Sequence, residues 1–346
     1  MLLSSATSTD RANYLNLALM LTSALAAFVL PFEVFLVAYA ILGPLHYLTE
    51  ISWLHDRQYF LERPRDHLSL VLLCLALLAI SLTPWGVDRK HQLTIFINYI
   101  AFAGAAALLM TPKYPNRAFA LMLIGLSFFL VQQSALCCAF FGVLLATIVH
   151  TLVFTGAFVL WGALRNRSRS GLASLITFTL CAMSFFVYAP MGPVVSHHVR
   201  EAYAPFEFLN LTMMRIFDLA PITSSEVIYR SAPGLAMMRL IAFAYLYHYL
   251  NWFSKTSIIG WNRMSLRRAT AIVALWMVSM GLYASGSRIG LTLVVSLSFL
   301  HGFLELPLDH RTFVNIGREL AARLRQPMAD GPSKADSIAG KLAPID

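Results

Sequence analysis

Charge is scarce in this chain: Asp, Glu, Lys and Arg make up 12% of its 346 residues, about half the roughly 25% of an average soluble domain. A soluble globular domain of this length is thereby excluded. Thiol chemistry is lacking too. The four cysteines, Cys74, Cys137, Cys138 and Cys181, fall inside apolar runs and form no C-x-x-C pair, so buried free thiols are expected rather than a thiolate metal site. The first ten residues lack a basic n-region and no small-residue cleavage site follows the first apolar run, so no removable signal peptide is expected. No linker, composition shift or convincing internal repeat divides the chain, which reads as a single membrane domain.

What the chain has is hydrophobicity. Apolar residues make up 58% of it, in runs close to the roughly 17–25 residues that cross a hydrocarbon core, separated by short charged or Pro/Gly-containing breaks. Ten spans follow, at about 13–30, 33–54, 68–83, 93–110, 118–132, 135–163, 172–189, 235–253, 268–284 and 289–306. The expected fold is all-α, a polytopic transmembrane helix bundle occupying residues 1–310. Spans one and two form a hairpin broken at Pro31, and spans five and six meet at Gln132-Gln133, the weakest break.

Loop charge sets the orientation. With a cytoplasmic N-terminus, the inner segments hold Arg11; Arg57, Arg63 and Arg65; Lys113 and Arg117; Arg165, Arg167 and Arg169; Lys255, Arg263, Arg267 and Arg268; and the basic residues of the tail, which together are most of the 26 in the chain. The positive-inside rule then predicts ten spans with both termini inside, as in a bacterial inner membrane. The net charge of +9 is accounted for by an anionic inner leaflet rather than by nucleic acid. Residues 190–234 form an outer connection expected to lie at the interface as a cap. In residues 311–325, Phe313, Ile316, Leu320 and Leu324 recur at helical spacing between arginines, predicting a separate amphipathic interfacial helix. The polar tail, 326–346, is expected to be disordered.

Ionisable groups inside a membrane are costly and mark function. His46, His150, His248 and His301 lie in spans two, six, eight and ten, all running from outside to inside. Counted from the span ends, His46, His248 and His301 sit roughly 7–12 Å deep at the helical rise per residue, with His150 deeper. Glu50 and Glu305 follow His46 and His301 by one turn, on the same helix face, as carboxylates that orient metal-bound imidazoles do. A lone intramembrane histidine is more often a helix–helix hydrogen-bonding residue; four on parallel helices point to a metal site. Imidazole suits iron, zinc and copper alike. His197-His198 is a weaker pair in the outer connection.

The stretches Gly43-Pro44-Leu45-His46-Tyr47-Leu48-Thr49-Glu50, Tyr245-Leu246-Tyr247-His248-Tyr249-Leu250-Asn251-Trp252 and Leu300-His301-Gly302-Phe303-Leu304-Glu305 resemble motifs of the Brp/Blh membrane-bound β-carotene dioxygenases. Leu45 stands between the Pro and His of the family's Pro-His-Gly-x-x-Asp, and Trp252 occupies the second position of its His-x-x-x-His. The resemblance implies Fe(II) held by His46, His150, His248 and His301, with Glu50 and Glu305 orienting imidazoles, in an oxygenase using O₂ on an apolar carotenoid or other polyene drawn from the bilayer. The alternative is a transporter or channel passing protons or metal ions over the same His and Glu residues, which would favour helices broken near the midplane. Boxes of H-x-x-H-H type, as in di-iron membrane desaturases, are absent.

Overall fold

The computed structural model describes residues 8–110, 114–192, 194–222, 224–255 and 264–325. Among them every regular element is helical and no strand occurs. The helices are α1 (Ser8–Val29), α2 (Pro31–Asp56), α3 (His67–Leu82), α4 (Val87–Met110), α5 (Tyr114–Val131), α6 (Ala135–Arg165), α7 (Arg169–Val187), α8 (His197–Tyr203), α9 (Glu207–Ile216), α10 (Glu226–Arg230), α11 (Ala232–Ser254), α12 (Leu266–Ala284) and α13 (Arg288–Arg325). Six of these, α1, α2, α4, α6, α7 and α13, are long and apolar enough to cross a membrane, while α3 and α5 contain shorter apolar stretches. The protein is therefore a membrane protein by the length and composition of its helices.

Helix ends follow local chemistry. Pro31 opens α2 as the first residue after Leu30, where its missing N–H costs nothing. The Gln132-Gln133 break is real: α5 stops at Val131, and Ser134 caps α6 by accepting a hydrogen bond from the Cys137 amide at 3.3 Å. Ser168, Ser231 and Ser265 cap α7, α11 and α12 in the same way. At the turn into α13, Gly286 takes a left-handed φ of 62°, which a Cβ would disfavour.

Two apolar cores organise the bundle. One surrounds α11, whose residues are buried almost continuously from Gly234 to Tyr249 against α1, α2, α6 and α7 and under α9 and α10. A helix enclosed by other helices need not be lipid-compatible, which explains why α11 carries Arg239 and several tyrosines yet lies at the centre. The second core gathers α3, α4, part of α6 and the middle of α13. Both α2 and α6 touch the two central helices, α11 and α13, so the seam between the cores is lined by four helices.

The long connection between α7 and α11 packs onto the bundle through buried Tyr203, Leu209, Met213, Met214 and Ile228, with the Tyr203 hydroxyl donating to Asn210 Oδ1. Residues 311–325 differ from the expectation of a separate interfacial helix. They continue α13, 38 residues long, through Pro307. Ile316 packs with Ala157 and Leu164 of α6, and Arg323 Nη2 donates to the Leu164 carbonyl at 2.7 Å. Part of the apolar stripe thus meets protein, while Phe313, Leu320 and Leu324 stay exposed. The tail read as disordered, 326–346, lies outside the described residues.

Candidate metal centre

Each of the four helices at the seam contributes one histidine: His46 from α2, His150 from α6, His248 from α11 and His301 from α13. All four are buried, with relative exposures of 1%, 6%, 8% and 2%. One ring nitrogen from each lies within 4.8 Å of those of the other three. His150 Nε2 is 2.9 Å from His301 Nε2, and His46 Nε2 is 3.0 Å from His248 Nε2. The depth mismatch read for His150 does not separate it from the others. Distance from a span end does not set depth here, because α6 runs on to Arg165 and α13 to Arg325 while α11 stops at Ser254, soon after His248. Local widening contributes as well: hydrogen bonding shifts to the i→i+5 pattern over Ala38–Leu42 in α2 and Phe140–Phe154 in α6, an irregularity often found at functional sites. Widening just before Gly43-Pro44 also lets α2 pass Pro44 without breaking.

The rings are held from behind. His301 Nδ1 lies 2.5 Å from the Ser298 carbonyl, and its ring stacks on Tyr47 with centroids 4.3 Å apart. His248 Nδ1 is 2.8 Å from Thr155 Oγ1. Trp252 stands edge-on to His46 at 5.6 Å and donates from Nε1 to Thr49 Oγ1 at 3.0 Å. Behind Tyr47, the Tyr47 and Tyr249 hydroxyls share a 2.7 Å hydrogen bond.

These contacts bear on whether an ion fits. A carbonyl only accepts, so His301 Nδ1 must carry the proton, leaving a lone pair on Nε2. His150 Nδ1 faces Glu305 Oε2 at 3.6 Å, which favours the same tautomer. Two Nε2 lone pairs then oppose each other at 2.9 Å, an arrangement that a cation between them relieves and a hydrogen bond cannot. Two nitrogens about 2.1 Å from one ion, at right-angled to tetrahedral separation, stand roughly 3.0–3.4 Å apart. The 2.9 and 3.0 Å pairs meet that spacing closely. The buried four-histidine group could therefore hold a metal ion.

The carboxylates are placed differently from their sequence pairing. Glu305 does not meet His301 Nδ1, the position that would orient its helix-mate's ring, because Ser298 occupies it; Glu305 turns to His150 of α6 instead. Glu50 Oε2 lies 3.1 Å from His46 Nε2, the nitrogen that faces the other rings. It stands on the cluster side of that ring, not behind it. One residue was missed altogether. Asp309, one turn beyond Glu305, is 1% exposed and groups with His150 and Glu305. Its signal was the continuation of the His301, Glu305 spacing by a further four residues. It lies beyond the expected end of span ten, where a carboxylate carries no membrane cost.

The outer pair is different in kind. His197 and His198 are 80% and 95% exposed beside Glu201, as a solvated helix turn is. His310 is half-buried and bonds through Nε2 to the Phe102 carbonyl at 2.9 Å. A small, largely apolar crevice between α4, α6 and α13 is lined by His150 together with Asn98, Leu145, Phe154, Phe299 and Phe303. Comparison with protein-family models, curated proteins and solved structures finds no match for this chain.

Proposed function

We propose that this protein is a membrane-embedded oxygenase whose four histidines hold a metal ion, iron in the first instance, and which acts on a lipid-soluble polyene such as a carotenoid. The observation that carries the reading is the convergence of four imidazole nitrogens from α2, α6, α11 and α13 within 4.8 Å, in a buried site. The resemblance of the same stretches to the Brp/Blh dioxygenases supports the choice of iron and polyene over other pairings. In this reading the chain crosses a bacterial inner membrane ten times, with both termini cytoplasmic.

His46, His150, His248 and His301 would be the ligands. Bound Fe(II) supplies the one-electron chemistry that lets O₂ react with a closed-shell hydrocarbon. The chain's own residues do the rest. Ser298 and Glu305 favour tautomers of His301 and His150 that present Nε2, and Thr155 orients His248. Tyr47 and Trp252 fix the planes of His301 and His46. The two apolar cores keep bulk water from the seam, and Phe154, Phe299 and Phe303 line an apolar face beside His150 against which an apolar substrate would lie.

The transporter alternative favours helices broken near the midplane. Here α2, α6, α11 and α13 continue through the level of the histidines, which favours the enzyme. The test is iron analysis of purified protein in nanodiscs together with aerobic incubation with β-carotene and mass spectrometry of the products. Stoichiometric iron and oxygenated cleavage products are expected. A metal-free chain that instead moves protons or metal ions in proteoliposomes would overturn the proposal.

A further inference from the structure

Along one face of α13, His301, Glu305 and Asp309 succeed each other at single-turn intervals, and α2 brings Glu50 against the same face. The three carboxylates are buried, with relative exposures of 4% for Glu305, 1% for Asp309 and 2% for Glu50. Glu50 Oε2, Glu305 Oε2 and both oxygens of Asp309 have no hydrogen-bond partner among the described residues. Glu50, His301 and Glu305 offer ligand atoms within 4.8 Å of one another, as do His150, Glu305 and Asp309. Glu305 belongs to both groups and joins them.

Orienting imidazoles does not account for this arrangement. Glu305 alone lies against an Nδ1 atom; Asp309 has neither oxygen in a hydrogen bond, and Glu50 faces the ligand side of His46. Unpaired carboxylates away from water are costly unless a cation or protons compensate them. Lys255, at the end of α11, lies close enough to Glu50 and Glu305 to interact with both, which leaves Asp309 uncompensated. Oxygen donors clustered in this way suit a hard or borderline divalent cation, Mn²⁺, Fe²⁺ or Mg²⁺, more than a soft one.

We infer that a second divalent cation binds beside the four-histidine centre, held by Glu305 and Asp309 next to His150, so that the seam is a two-metal site with a nitrogen-rich and an oxygen-rich half. The inference rests on the four-histidine reading and adds the second ion to it. Carboxylates supplying the second half would explain why the acidic face of α13 extends one turn beyond Glu305.

The experiment is metal stoichiometry on the full chain in nanodiscs. Elemental analysis would be combined with Mn²⁺ titration followed by electron paramagnetic resonance. Wild type should bind two ions per chain, with spin coupling between neighbouring Mn²⁺ ions. Asp309→Asn, nearly isosteric, should bind one and lose the coupling; Glu305→Gln serves if that variant does not fold. His301→Ala should weaken the nitrogen-rich ion first. A wild type that binds a single ion, with the same content in Asp309→Asn, would overturn the second site and leave the four-histidine centre standing, the carboxylates then being protonated. A wild type that binds no ion would overturn both.

Discussion

Replacing His301 with alanine removes one of four converging nitrogens and leaves the other three in place. Its partners make the consequence calculable. His301 Nε2 stands 2.9 Å from His150 Nε2, so in the proposed centre its loss would deprive a bound ion of one ligand and leave a gap between α6 and α13. Four-ligand protein sites bind a transition-metal ion with about 10–16 kcal/mol, so one ligand in four carries about 2.5–4 kcal/mol. At about 1.4 kcal/mol per decade, metal affinity should fall roughly 10²- to 10³-fold. The ring also stacks on Tyr47 at 4.3 Å, and truncation opens a cavity there. His301→Gln keeps more of the volume and separates packing from ligation. Affinity would be read by competition against chelators of graded strength, with elemental analysis of protein recovered as a monodisperse peak of unchanged helicity. Equal metal retention by wild type, His301→Ala and His301→Gln after chelator dialysis would refute the reasoning, because the ion would then be held elsewhere.

The other expectations can be checked in the same preparations. Thr155→Val removes the 2.8 Å contact to His248 Nδ1, so metal affinity should fall about 10- to 100-fold, as for other groups that orient ligands, with thermal stability little changed; an unaltered chelator titration would show that Thr155 does not set the ring. Gly302→Leu would put a branched side chain beside His150 at the head of the apolar crevice, lowering polyene turnover while metal content stays at the wild-type level. Gly234→Ala places a Cβ 2.2 Å from the Val227 carbonyl oxygen and 2.7 Å from that of Ile228; backbone cannot yield cheaply, so a loss of about 1–3 kcal/mol should appear as earlier thermal aggregation. At the end of α2, Arg268 Nη1 donates to Asp56 Oδ2 at 2.6 Å and holds that carboxyl below its ordinary range. A depressed folded-state value means the link contributes above the unfolded pKa of about 3.9 and fades as pH falls through the lower folded value. The small difference between the melting temperatures of wild type and Arg268→Ala should therefore be the same at pH 7 and pH 5, and shrink only below about pH 4.

Much of the architecture was legible because a bilayer imposes a length on every apolar run and leaves charge only at the breaks. Helices form along the apolar runs, six of them long and apolar enough to cross a membrane, and even the slender signal at Gln132-Gln133 corresponds to a capped turn at Ser134. The limits of α13 were not legible. The change from an apolar run to an amphipathic pattern over 311–325 predicts two elements. The backbone instead carries on, because Ile316 and Arg323 find partners on α6 that no local pattern reveals.

The candidate site divides along the same line. Histidine within an apolar run is conspicuous by its cost, so His46, His150, His248 and His301 could be singled out by residue type and position alone, and i, i+4 spacing drew in Glu50 and Glu305. Sequence could not say which groups meet, because spacing describes one helix and the centre is made by four. Tertiary packing turned Glu305 from its helix-mate to His150, gave His301 to the Ser298 carbonyl and Tyr47, and buried Asp309 with no hydrogen-bond partner among the described residues. The physical reason is that side-chain choice follows from which helix faces approach each other at the seam between two apolar cores. That approach is fixed by packing across the whole bundle rather than by any one segment.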